Sequence, residues 1–392
     1  MKPYRNIWLM YAIAFLQGMV FYGPIATLYR QAAGINIFQI TLIESISLAL
    51  CLLFELPWGI VADRIGYKKT MVFCFMLYFI SKIVFWKADG FGGFLTERIL
   101  LSIVISGVSG VDSSILYLSC KKDQSQKVFG IYNYIQTTGL LIASVVFSLF
   151  IKDNYRLAGF LTVCSYGLAA ALTLLLVEVK GESEVRPGVS EFLALLKRIV
   201  KTKHLLLFLA AVALLNETHQ TITVFLNQLQ YVKNGLSNTA IGYIYILVTL
   251  AGLLGVFSDG LTRKLGIQKF AVLLYTAAAT ACLLLGLTNS PWLSVVSILL
   301  LRISFSLFQP LQTELQNRQV ITSNRATELS INAIIIDGVG ITTNLIYGRL
   351  AEVNIIMPMF SGVFFCILGL LFFKLWQRGI KGTVFRYTKP RN

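Results

Sequence analysis

Charge is scarce in this chain, and acidic charge above all. Only 13% of the 392 residues are Asp, Glu, Lys or Arg, and only 18 are acidic, against roughly a quarter charged in a soluble domain. So few ionic groups cannot clothe a water-soluble globule of this length. Histidines number two and cysteines six. Cys51, Cys74, Cys120, Cys164, Cys282 and Cys366 lie singly, with no CxxC pair and no metal-ligand spacing. Free thiols packing as small apolar groups are therefore expected, and a metal centre is not. No GxxxxGK[ST] loop occurs, so no nucleotide-hydrolysis site is expected. No nucleophile–base–orienter grouping suggests an enzyme, and no cofactor is expected. The first apolar run is long enough to span a bilayer and lacks the small-residue cleavage pattern of a secretory signal. The apolar–polar alternation of a membrane barrel strand is missing too.

What fills the chain is hydrocarbon. Hydrophobic residues make up 56% and mean hydropathy is +0.73. The apolar runs are about 20 residues long, as a bilayer-crossing helix requires. Twelve spans are predicted, over residues 6–28, 37–61, 69–87, 91–118, 127–151, 155–177, 204–231, 237–258, 268–288, 291–314, 325–347 and 353–376. The fold class is an all-α polytopic membrane protein of two six-helix halves, residues 1–178 and 204–392. A polar linker, 179–203, joins them; Phe192, Leu195, Leu196 and Ile199 share one face of it, away from Lys197, Arg198 and Lys201. That pattern predicts a short amphipathic helix on the membrane surface.

The net charge of +16 suggests nucleic acid until its placement is followed. With a cytoplasmic N-terminus, the inside segments hold 25 Lys and Arg and the outside loops hold six; Lys82, Arg98 and Arg302 fall within spans. This is the positive-inside bias of a membrane protein. It places both termini in the cytoplasm, membrane lipid around the chain, and no nucleic acid among its partners. The chain is expected to work as a monomer.

One short motif occurs twice. GIVADRIGYKK runs from Gly59 to Lys69 and GVFSDGLTRKLG from Gly255 to Gly266; Asp63 and Asp259 are 196 residues apart, half of 392. Such tandem halves build many secondary transporters. The first copy resembles the Gly-x-Leu-Ala-Asp-Arg-x-Gly-Arg-Lys signature between spans 2 and 3 of the major facilitator superfamily, matching at Gly59, Ala62, Asp63, Arg64, Gly66 and Lys68. Arg98 to Ser102 resembles the superfamily's Arg-x-x-x-Gly stretch, with Ser for Gly, and Ser109 to Tyr117 and Arg325 to Ser330 are similar to stretches of bacterial efflux-type, drug/proton antiporter members. The Gly-Pro signature of those antiporters in span 5 is absent around Gly139.

The resemblance implies a twelve-helix carrier with a cavity lined by spans 1, 4, 7 and 10, and a gate at the repeated motif. The gating residues would be Gly59, Asp63, Arg64, Gly66, Lys68, Gly255 and Asp259, with Glu55 beside them. Asp63 would meet the N-terminus of span 11, where the helix dipole favours an anion, and Arg64 and Lys68 would pair with acids at inner helix ends. An ionic group inside a bilayer is costly and faces the bundle interior. In span 7, Asn216, Glu217 and Gln220 are substrate-contact candidates, and His219 is a proton relay or a packing residue. Span 10 adds Arg302, Ser306 and Gln309, with Arg302 either an anion clamp or an internal ion pair. Gln17 of span 1 joins them. Asp112, Glu217, Glu44 and Asp337 are the proton-coupling candidates. Lys82 is expected to snorkel outward, and Arg98 to pair with Glu97 or an inner acid.

These expectations give a secondary transporter that exports a small amphipathic organic compound in exchange for protons. Its rivals are a proton symporter or uniporter for a polar metabolite, favoured by the polarity of spans 7 and 10 and the missing span 5 signature, and a non-transporting receptor or scaffold.

Overall fold

The computed structural model describes residues 2–120, 125–179, 189–320 and 325–380. In hydrocarbon a backbone has only its own carbonyls to bond, so the apolar runs fold as helices. Among the described residues, twelve are long and apolar enough to cross a membrane: Tyr4–Ala32, Ile37–Phe54, Tyr67–Lys87, Gly90–Ser119, Lys127–Ile151, Tyr155–Thr173, Lys203–Lys233, Asn238–Leu265, Ile267–Leu287, Pro291–Gln319, Glu328–Val353 and Ile356–Gly379. They are spans 1 to 12 below. The helix of span 2 runs on to Ile65. Span 1 extends to Ala32, so Arg30, expected in a loop, is buried within it. The linker helix forms as Val189–Lys201, with Ile199 buried and Lys197, Arg198 and Lys201 exposed.

By packing, the chain divides into two units, Met1–Val185 with Gln228–Thr249 and Arg186–Asn227 with Leu250–Asn392. In the first, Ile7, Met10, Met71, Phe75, Ile115 and Ala169 form part of one buried core. Spans 1 and 5 cross closely enough that a Cβ on Gly18 would fall on the Gln136 carbonyl, and one on Gly139 on the Phe15 carbonyl. Small residues of this kind let membrane helices approach. Buried Asn6 ties the chain end to the end of span 6, donating to the Val177 carbonyl at 2.8 Å and accepting its N–H at 2.9 Å. Residues 228–249 pack onto the same unit. The N–H groups of Thr27 and Leu28 donate to Gln228 Oε1 at 2.9 and 3.3 Å, and Asn238 Nδ2 donates to Asp153 and to the Tyr155 hydroxyl at 2.8 and 2.9 Å.

The second unit packs on aromatic rings. Phe208 and Phe373 meet Trp376 at 4.7 and 5.1 Å between centroids, and Tyr275 meets Phe308 edge-on at 5.3 Å. The repeat is visible in the backbone of both units. Gly66 (φ +95°) and Gly266 (φ +77°) each precede a 21-residue helix, spans 3 and 9. Both turns need a conformation that a side chain opposes.

Candidate functional site

The first helix of each half is irregular at matching positions. Span 1 is α-helical to Gly18, turns, makes a 3-10 turn over Gly23–Ile25 and resumes at Ala26. Gly18, Gly23 and Pro24 explain the break, and the freed Phe21 N–H donates to Thr162 Oγ1 at 3.0 Å. Span 7 is α-helical to Gln220, widens to a π-helix over Thr221–Leu226 and resumes at Asn227. There β-branched residues follow one another, and Thr223 Oγ1 bonds back to the His219 carbonyl at 2.7 Å. Single-turn π segments gather at functional sites, and paired interruptions in the two halves of a transporter mark its binding region.

In the second unit, spans 7 and 11 meet along a polar seam. Thr221 Oγ1 donates to Asn344 Oδ1 at 2.7 Å, and the Tyr347 hydroxyl to Thr218 Oγ1 at 2.9 Å. One turn away, Glu217 lies on span 11 where Gly340 has no side chain: a Cβ there would stand 2.7 Å from the Glu217 carboxyl carbon. Asp337 precedes Gly340 by one turn and acts electrostatically on Glu217. Glu217 is 8% exposed, and its Oε2 has no hydrogen-bond partner. Buried Glu217 and half-buried Asp337 thus lie on facing spans, near enough to act on one another electrostatically.

Arg302 of span 10 donates from Nη1 to His219 Nε2 at 3.3 Å. His219 is buried, stacks on Phe305 at 3.9 Å and stands 3.1 Å from Thr223 Oγ1. A ring nitrogen that accepts from a guanidinium is unprotonated, so this geometry makes His219 a neutral acceptor that positions Arg302. Span 8 makes room for Arg302 and Ser306: a Cβ on Gly252 would fall on the Arg302 guanidinium, and one on Gly255 would stand 2.7 Å from the Ser306 carbonyl. Further along, Gln309 lines an open groove of about 580 Å³ with Pro310, Thr313, Glu314 and Asn317. Ser306 is buried, Asn216 half-buried and Gln220 exposed.

The remaining candidates are spread apart. Gln17 is half-buried, and its carbonyl accepts from the Tyr166 hydroxyl at 2.8 Å. Asp112 begins the second half of span 4, after left-handed Gly110, and accepts the Ser113 N–H at 2.6 Å. Asp259 is exposed and pairs with Arg263 at 2.9 Å. The backbone of Glu55, Gly59, Asp63 and Arg64 lies in the helix of span 2; their side chains fall outside the described residues. Lys68 meets an acid through its backbone: its N–H donates to Glu178 Oε1 at 3.2 Å. That carboxylate sits at the N-terminus of span 3, where the dipole favours it.

The first unit holds an ionic cluster that the sequence reading did not assemble. Lys82 does not snorkel. It is 5% exposed and donates to Glu97 Oε1 at 3.2 Å and to the Tyr22 hydroxyl at 3.1 Å. Arg98 pairs with Glu44 rather than with Glu97, and Arg30 reaches the same Glu44 oxygen at 3.4 Å. Burial explains both corrections: spans 1 to 4 turn these groups inward, where each cation takes the acid within reach. A sequence signal existed, since Lys82, Glu97 and Arg98 all lie inside apolar runs.

Twelve spans, two irregular lead helices and buried ionic networks define a polytopic membrane carrier. The model of the Major Facilitator Superfamily matches residues 7–342, and the chain belongs to that superfamily of transporters. It is 25% identical over 184 residues to an uncharacterized MFS-type transporter of Methanocaldococcus jannaschii, an alignment over 45% of this chain and 47% of that protein. The match thus spans less than half the relative's length. Among solved structures, the nucleoside transporter NupG superposes with a TM-score of 0.79 at 16% identity, over 96% of this chain and 99% of that one. A POT family transporter in complex with 5-aminolevulinic acid superposes with a TM-score of 0.75 at 14% identity, over 96% of each. At these identities the likeness is one of fold.

Proposed function

We propose that this chain is a proton-coupled carrier of a small organic solute in the cell membrane, working by alternating access with both termini cytoplasmic. The observation that carries this reading is the Glu217–Asp337 seam at Gly340, one turn from the π segment of span 7. A buried acid beside a second acid is suited to take a proton in one state and release it in the other. Export by antiport is the first reading, supported by the efflux-type stretches at Ser109–Tyr117 and Arg325–Ser330. Uptake by symport is the second, supported by the polarity of the span 7–11 seam and by the polar cargo named for the nucleoside and 5-aminolevulinic acid structures. Residues 228–249 hold on to span 1 through Gln228 and to the turn between spans 5 and 6 through Asn238, and an alternating carrier would have to break those bonds for that end to open.

The test is transport in proteoliposomes under a pH gradient of either sense, beside gradient-free exchange. Glu217→Gln is expected to lose the driven component and keep exchange, and Asp112→Asn, whose carboxylate is engaged locally, to keep both. The sense of gradient that accelerates uptake decides between antiport and symport. Full pH-driven transport by Glu217→Gln would place the proton elsewhere.

A further inference from the structure

The ionic cluster of the first unit is out of balance. Arg30, Lys82 and Arg98 face Glu44 and Glu97, all five with side-chain exposure of 16% or less. Three cations against two carboxylates leave a formal surplus of one positive charge among the described side chains. The cluster is continuous: the Arg30 guanidinium lies 5.7 Å from the Phe85 ring, Phe85 stacks on Tyr22 at 4.1 Å, and the Tyr22 hydroxyl accepts from Lys82 at 3.1 Å.

The pairing within it is unequal. Lys82 and Glu97 serve each other. Glu44 serves two guanidiniums with one oxygen, Oε1, which meets both Arg30 Nη1 and Arg98 Nη2. The Nε groups of Arg30 and Arg98 are buried and have no hydrogen-bond partner. A guanidinium offers a planar fork of donors that matches a carboxylate with two bonds. Here two forks share one carboxylate, in surroundings where an uncompensated charge is costly. Glu44 and Arg98 keep 12% and 16% of their side-chain surface open, against 7% for Arg30. Arg98 is thus the more open of the two guanidiniums and Arg30 the deeper.

We propose that the carried solute is an organic acid, and that its carboxylate binds to Arg98 and Arg30 beside Glu44, supplying the negative charge the cluster lacks. This rests on the reading of the chain as a carrier of small organic solutes and is independent of how that transport is driven. Removing Arg98 leaves Glu44 paired with Arg30 and the cluster neutral. Removing the charge of Glu44 leaves two guanidiniums unopposed and a surplus of two.

The test is thermal stabilisation of the purified full chain in nanodiscs of zwitterionic lipid, at fixed ionic strength and with no gradient. The probes are benzoate, phenylacetate, lactate, succinate, glutarate and citrate, each beside its uncharged amide. At least one carboxylate is expected to raise the unfolding midpoint by several degrees while its amide does not. The response is expected to vanish in Arg98→Gln and to persist in Lys87→Gln, where an exposed cation is removed. Without ligand, Arg98→Gln should be no less stable than wild type. Glu44→Gln should be less stable and recover more on adding the carboxylate. The proposal is overturned if no carboxylate acts, if amides act equally, if Arg98→Gln keeps the response or fails to fold, or if Lys87→Gln loses it. No proton gradient is present, so a failure of the coupling reading leaves this result untouched.

Discussion

Replacing Lys82 with methionine separates a buried ion pair from a snorkelling lysine. The Lys82 ammonium stands 3.2 Å from Glu97 Oε1 and 3.1 Å from the Tyr22 hydroxyl, and Glu97 is 1% exposed. At an effective dielectric constant of about 20, the Coulomb attraction at this separation is roughly 5 kcal/mol. Desolvation offsets much of it, so the intact pair adds little net stability. The asymmetry appears when one partner is removed. Lys82→Met strands Glu97 without its ammonium, and breaking a buried pair in this way costs about 3–5 kcal/mol. The Tyr22, Tyr78 and Tyr166 rings, 5.3–5.9 Å from the ammonium, lose a cation contact of roughly 0.5–1 kcal/mol each in the same step. A lysine whose head lay in the interface would cost under about 0.5 kcal/mol. The double variant Lys82→Met/Glu97→Leu removes both charges and should return to within about 2 kcal/mol of wild type. The assay is equilibrium unfolding in mixed micelles with increasing SDS, read by tryptophan fluorescence and analysed as a double-mutant cycle. A single variant within about 1 kcal/mol of wild type, or a double variant as costly as the sum of the singles, would refute the reasoning.

Two further outcomes are expected. Gly66→Ala and Gly266→Ala both force a side chain into a backbone region kept for glycine, at roughly 1–3 kcal/mol. Only at Gly66 does the new Cβ also meet the Glu178 carboxylate, 2.8 Å away, whereas Gly266 has nothing within 4 Å. Gly66→Ala should therefore unfold at the lower SDS fraction, and equal losses would contradict the packing described. Single cysteines placed at Lys152 and Lys233 in a cysteine-free background should react with an impermeant reagent from outside the cell alone; labelling from the cytoplasm would reverse the orientation drawn from the charge bias.

Much of the architecture was legible in the sequence because a bilayer leaves a helix few alternatives. The twelve apolar runs became the twelve spans, and the last glycines of the two motif copies, Gly66 and Gly266, form turns ahead of two 21-residue helices. Edges were harder to read, as at Arg30, since a helix continues past its apolar stretch wherever its polar groups find partners inside. The site was legible as residue types rather than as pairs. Glu217 and Asp337 stood out as intramembrane acids, but nothing in one strand of text brings them together. Glu217 reaches span 11 because Gly340 has no side chain there. The cluster around Glu44 stayed hidden for a similar reason: Arg30, Glu44 and Arg98 lie on three helices, and only packing shows two guanidiniums converging on one oxygen. By residue type His219 stood as a relay or a packing residue, and its partner Arg302, 83 residues away, makes it an acceptor.

Proton movement is the most direct measure of the central claim. Purified wild-type protein and Glu217→Gln would be sealed into liposomes with an entrapped pH-sensitive dye, and solutes from an organic-acid and amphipathic panel added outside without an imposed gradient. For at least one solute, wild type should show a pH change inside that follows solute entry, and Glu217→Gln should pass the solute with the internal pH unchanged beyond its own buffering. Solute entry through wild type with no accompanying proton movement, or the same proton movement through Glu217→Gln, would contradict the account.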